Sequence, residues 1–160
     1  MTTQAIGAAA VGAAVIGGGG TLAAYAAGAF SEVKYLDFND YFVKVFGKEY
    51  QLISLDNHSA IEGKIKNATS GNLYKKLLGN HWDNMQEGGF TVTGLSTKPT
   101  KGDLEGTDKE TEVAKWTKEW CKARKGKKST AEDKKWTKSI IDADKEWQAF
   151  FAVCLEKKSS

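Results

Sequence analysis

The sequence predicts a mainly α fold: an N-terminal hydrophobic helix, then a small helical domain of about four helices with at most a short β hairpin. Two observations lead there. Residues 1–31 hold no Lys, Arg, Asp or Glu, so all 23 basic and 20 acidic residues fall beyond them, starting at Glu32. Within that charged region, aromatic and aliphatic residues recur at spacings of three and four, the period of a helix with one buried face.

The N-terminal element is defined by what it lacks. Ala5 to Phe30 is an uncharged run with 11 Ala and 7 Gly. As a helix it extends about 39 Å, enough for a bilayer core of about 30 Å. Its apolar drive is thin, coming from Ile6, Val11, Val15, Ile16, Leu22 and Phe30, at roughly −0.3 to −0.6 kcal/mol each at a helix centre. Gly17–Gly20 interrupts it. In water that costs a helix about 4 kcal/mol against alanine; in hydrocarbon, helix is the only way to satisfy the backbone. We therefore read 1–30 as a hydrophobic membrane anchor or signal segment and 31–160 as the charged helical domain. A cleaved signal peptide remains open, because Ala24-Tyr25-Ala26 and Ala27-Gly28-Ala29 are small-x-small sites, although Met1–Gln4 lacks the basic flank such peptides carry. So does a soluble Ala/Gly-rich tail. The small residues also favour self-association through this segment, since they let membrane helices approach closely. Lys34, Lys44 and Lys48 follow the segment and bias the domain toward the cytoplasm, a bias that is weak for a long following domain.

In the domain, Asp37 to Gly47 reads as a short helix, with Asp37 as N-cap and Gly47 as terminator. Tyr50–Leu55 is a candidate strand. Asp56–Leu78 reads as helical, with Ile61, Ile65, Leu73, Leu77 and Leu78 inward and a break at Ser70-Gly71. Residues 79–106 form a loose Gly-rich link in which Phe90–Leu95 alternates and is the natural partner for Gln51–Leu55. A C-terminal helix pair fills 107–157. Thr107–Glu110 and Ser129–Glu132 are capping-box patterns. The first helix shows Val113, Trp116, Trp120 and Cys121 on one face; the second shows Trp136, Ile140, Ala143, Trp147, Phe151 and Cys154.

No catalytic constellation, cofactor signature or metal-ligand spacing stands out, and the chain is expected not to be an enzyme. His58 and His81 are isolated, and the five tryptophans are phased as core. Two features are candidate sites. Lys122, Arg124, Lys125, Lys127 and Lys128 form a basic turn that could contact anionic lipid or nucleic acid, or simply be solvated. The net charge of +3 is too small for a nucleic-acid footprint, so nucleic acid is not the expected partner. Cys121 and Cys154 could form a disulfide, but a simple hairpin turning at Gly126 leaves them some 35 Å out of register, against the about 7 Å a bridge allows. A bond needs the last helix to break and fold back near Lys138–Asp144. Two buried free thiols are the expectation, and the redox compartment stays undetermined.

The Gly/Ala-rich N-terminus, the Lys/Glu-rich helical body and the phrase Lys115-Trp116-Thr117-Lys118-Glu119-Trp120-Cys121 resemble the uncharacterised paralogous surface and membrane proteins of haemotropic mycoplasmas. That resemblance implies a wall-less bacterium and a single-pass protein. It further implies an extracellular domain for host contact or antigenic variation, with the bilayer and host surface molecules as partners. It carries over no site residues. A secreted domain is implied if the segment is cleaved, and a cytoplasm-facing adaptor using the basic turn is the alternative.

Overall fold

Helix starts are set largely by side-chain oxygens that take over otherwise orphaned backbone N–H groups. The computed structural model describes residues 32–67 and 72–159. The anchor or signal segment, the expected break at Ser70-Gly71 and the Ala/Gly self-association surface lie outside the described residues. Asp37 opens α1 (Phe38–Tyr41) by accepting from the Asp40 amide at 2.8 Å. The helix continues as a wider π turn, Phe42–Phe46, ended by Gly47. A Cβ at Gly47 would lie 2.6 Å from the Val43 carbonyl oxygen, so only glycine fits there.

Asn72 serves two helices. Its Nδ2 donates to the Lys64, Ile65 and Asn67 carbonyls at the end of α2 (Ser59–Lys66). Its Oδ1 accepts from Lys75 N at the start of α3 (Leu73–His81). A single 3-10 turn, Trp82–Asn84, follows. The stretch read as a loose link therefore contains the end of α3, this turn and α4 (Lys101–Glu105). A reciprocal capping box between Thr100 and Asp103 opens α4, directly after Pro99.

The two capping boxes expected from sequence do not form. The long helix α5 (Glu110–Lys125) starts from Lys109, which makes no side-chain cap. At the second, the Ser129 hydroxyl accepts from Ala131 N and closes a turn rather than opening a helix.

The last helix is not continuous. Trp136–Thr137 is a short strand, β3; then come α6 (Lys138–Ala143) and α7 (Lys145–Cys154). Asp144 separates them, with extended backbone (φ −72°, ψ 120°) and a side chain that accepts from Trp147 N at 2.9 Å. The break changes which residues are inward. Ile140 is 51% exposed and Ile141 is buried in its place. Leu73, also expected inward, is 76% exposed at the start of α3.

Two antiparallel ladders tie the ends of the domain together. β1 (Lys34–Tyr35) pairs with β3, and β2 (Tyr50–Leu52) pairs with β4 (Leu155–Lys157). The expected pairing of Gln51–Leu55 with Phe90–Leu95 is absent; the latter makes only a local Val92–Leu95 bridge. Long-range pairing wins because β4 continues straight from α7, which is already packed in the core.

The core is built around α5 and α7, with α1, α2 and α3 packed against them. From α5 come Val113, Trp116, Trp120 and Cys121; from α7 come Trp147, Phe150, Val153 and Cys154. All five tryptophans are buried, as their phasing predicts. Phe38 is fully enclosed by Trp136, Trp147 and Phe150, with ring centroids 5.3–5.8 Å away. Phe38→Ala is expected to lower the unfolding free energy by about 3–5 kcal/mol, while Val43→Ala, on the exposed side of the same helical stretch, costs under about 0.5 kcal/mol. Urea denaturation of both variants checks this, and equal losses would contradict the assigned core.

Candidate functional site

The basic turn is where sequence offered a binding surface, and the structure divides its five cations. Lys122, Arg124 and Lys125 lie in the last turn of α5, where positive charge opposes the helix dipole favourably. Arg124 is turned inward. Its Nε donates to Glu146 at 2.8 Å and its two terminal nitrogens donate to the Gln86 and Gly88 carbonyls. Its guanidinium lies 5.8 Å from the Trp120 ring. Lys127 bridges Asp144 and Glu146, both at 2.8 Å, and sits over the Phe38 and Trp136 rings. These two cations fasten the loop at 86–88 and the start of α7 to the end of α5. Lys122 is drawn to Glu119 at 3.7 Å. Among the described residues, only Lys125 and Lys128 of the five are exposed and make no ion pair. The anionic-contact surface read from five charges thus shrinks to two free ones and one surface pair.

The cysteines come together. Sγ of Cys121 and Sγ of Cys154 are bonded, with Cα atoms 5.7 Å apart, and no free cysteine remains. This corrects the expectation of two free thiols. The register objection assumed an unbroken helix after the turn. The break at Asp144, inside the stretch where one was required, removes that assumption, and α7 packs on α5. Both cysteines are fully buried.

A third cation is caged without a carboxylate. Lys98 Nζ donates to the Trp82 and Met85 carbonyls at 2.5 and 2.8 Å and stands 4.8–4.9 Å from the Trp82 and Trp116 rings. Burial pushes its amine below the ordinary lysine value, and Asp83 and Glu87 push it back upward. With the bond from Trp82 Nε1 to the Pro99 carbonyl, it fixes the 98–100 strand of chain to the 3-10 turn. It borders a small cleft of about 130 Å³ lined by Phe90, Val92 and Trp116. Sequence reading missed Lys98; its signal was a lysine beside the only proline, facing a region rich in Trp.

The histidines serve locally. His58 Nε2 lies 3.4 Å from Glu62, one helical turn on. His81 is half-buried, with a buried Nδ1 that has no hydrogen-bond partner, and burial holds its pKa below 6.5. Among the described residues no group of three or more His, Cys, Asp or Glu side chains is placed to hold a metal ion. The larger surface cavity, about 430 Å³ and open to solvent, is lined by Lys127, Trp136, Ile140 and Asp144, of which Lys127 and Asp144 are already paired.

The cross-link closes a loop with a sequence separation of 33. On chain-entropy grounds its loss by Cys121→Ala with Cys154→Ala is expected to cost about 4 kcal/mol. Urea unfolding with and without a thiol reductant measures it; identical midpoints would remove the cross-link from the structure.

His81 gives a pH dependence of definite sign. In the unfolded chain it takes up a proton near pH 6.5, whereas the folded side chain resists until lower pH. Stability therefore falls as pH drops below 6.5, before the carboxylates held low by their partners, such as Glu62 and Asp103, begin to titrate. Thermal melts of His81→Gln should lose this first part of the acid destabilisation and keep the carboxylate part.

Against known proteins, the chain matches no protein-family model, no curated protein and no solved structure.

Proposed function

We propose that the chain is a membrane-anchored, non-enzymatic protein that holds its helical domain outside the cell, for contact with host molecules or as a variable surface. The observation that carries the outward orientation is the buried Cys121–Cys154 bond. Such bonds persist in oxidising, extracytoplasmic surroundings and are kept reduced in most cytosols. The uncharged run from Ala5 to Phe30 supplies the anchor, or an export signal if it is cleaved.

Two of the three lysines that pointed the other way have structural employment. Lys34 is paired with Asp133, and Lys44 with Asp40. Each lysine next to the segment that is so paired carries its own counter-charge. The cytoplasmic adaptor reading loses force in the same way, because Arg124 and Lys127 of its basic turn are bound to α7. Among the described residues, no helix is long and apolar enough to cross a membrane, so anchoring falls to the N-terminal run.

Protease added to intact cells tests the reading. The domain should be degraded from outside, and trapping free thiols with an alkylating agent before lysis should leave Cys121 and Cys154 unlabelled. Full protection together with two labelled thiols would place the domain in the cytoplasm and overturn the proposal.

A further inference from the structure

The exposed large apolar residues are not scattered. Of the six among the described residues, Val33, Leu36, Val43 and Val45 fall within thirteen residues of one another, in the first elements after the uncharged segment. A fifth, Ile140, is brought to the same end of the domain. β1 pairs with β3, and the Ser139 hydroxyl donates to Glu32. Asp40 ties Leu36 to the helical stretch that carries Val43, its carboxylate accepting from the Leu36 amide and from the Lys44 ammonium. Val33, Leu36, Val43 and Ile140 are each more than half exposed.

From this clustering we infer that the face carrying Val33, Leu36, Val43 and Ile140 lies against the lipid surface, in the interfacial layer of the bilayer. The inference rests on the proposed anchoring and adds to it a place and an orientation for the domain. Its occupant follows from chain length. Val33 stands two residues beyond Ser31, and at no more than about 3.6 Å per residue the whole stretch from Ser31 to Leu36 reaches about 18 Å. If Phe30 ends the membrane segment, Val33 and Leu36 cannot leave the neighbourhood of the headgroups. Apolar side chains held there gain by leaving water, and the flanking polar groups can remain at the boundary.

Charge has little part in it. Residues 32–48 carry Glu32, Asp37 and Asp40 against Lys34, Lys44 and Lys48, a local balance of zero. Lys34 and Lys44 are moreover paired within the domain. Apposition should therefore be as strong on zwitterionic as on anionic lipid, which sets it apart from a polybasic surface.

The test uses the full chain reconstituted in phosphatidylcholine vesicles. Val43→Cys is labelled with an environment-sensitive fluorophore, the native cysteines being bonded to each other. Asp108→Cys serves as control, because it precedes α5, whose opposite end leads into Lys127 over the Phe38 ring. The 16-residue helix between them is about 24 Å long. The label at Val43→Cys should emit at shorter wavelength, be quenched by nitroxide lipids, and report a depth of roughly 5–10 Å below the headgroup boundary. The label at Asp108→Cys should stay fully open to aqueous iodide. Replacing part of the phosphatidylcholine with phosphatidylglycerol should leave the depth unchanged. Vesicle flotation of the same sample distinguishes the two levels of failure. Protein that does not float refutes the anchoring itself. Protein that floats with the Val43→Cys label open to iodide refutes lipid apposition alone. A blue-shifted label that nitroxide lipids do not quench, with energy transfer between labelled chains, would assign the face to a second copy and likewise refute it.

Discussion

The break at Asp144 is the constraint on which the rest of the domain depends. Two helical segments with no proline or glycine between them would run on as one rod unless something offset the lost backbone bonds at the junction. Asp144 does so with three interactions. Its carboxylate caps α7 at the Trp147 amide, its amide donates to the Ile141 carbonyl, and its other oxygen receives Lys127 from the preceding loop. The last bond links the break to the end of α5, so the direction of α7 is tied to α5 at the turn. The packing that follows is then fixed. α7 packs on α5, Trp147 enters the Phe38 cluster, Cys154 meets Cys121, and β4 leaves in register with β2.

The same arrangement explains why the cations near the turn are poorly available to ligands. Arg124 and Lys127 converge on Asp144 and Glu146 at the N-terminus of α7, where acidic groups are also favoured by the helix dipole. Each cation additionally lies against an aromatic face, Arg124 near Trp120 and Lys127 near Phe38 and Trp136. An external anion would have to compete with partly buried carboxylates and with ring faces already in place. What looks in sequence like a basic patch is in good part the fastening of a helix.

Much of this is legible in the sequence. The Asp37 cap, the Gly47 stop, the inward face of α5 and the tryptophan core follow from residue type and period, because those signals depend on a single element and its buried side. What was hidden depended on choices between competing local signals. The run from Trp136 to Cys154 keeps three- and four-residue spacing throughout, so an Asp at position 144 reads as one more polar residue on a helix rather than as a cap. Thr107–Glu110 and Thr100–Asp103 both carry a capping pattern, and only the second is used. Pro99 before it favours a start there, since a chain leaving proline is already stopped from continuing an earlier helix. The strand pairing was out of reach for a different reason. β2 and β4 are separated by about a hundred residues, and their register is set by where α7 ends, which sequence periodicity does not encode.

The disulfide has its place in the same logic. The ladders have two and three residues per strand, α4 has five residues, and α1 is a single turn, so few of these elements could stand alone. Cohesion comes from α5 and α7, which pack on each other and on α2 and α3, and their mutual contact is held at the turn by one capping carboxylate and three ion pairs. A covalent bond at the far end of α7 restrains the helix at the opposite end from Asp144, so the two-point attachment resists both splaying at the turn and sliding along α5. It also acts on the unfolded chain, where closing the loop removes conformations that would otherwise oppose folding. A domain built of such short pieces gains most from this restraint where thiols stay oxidised.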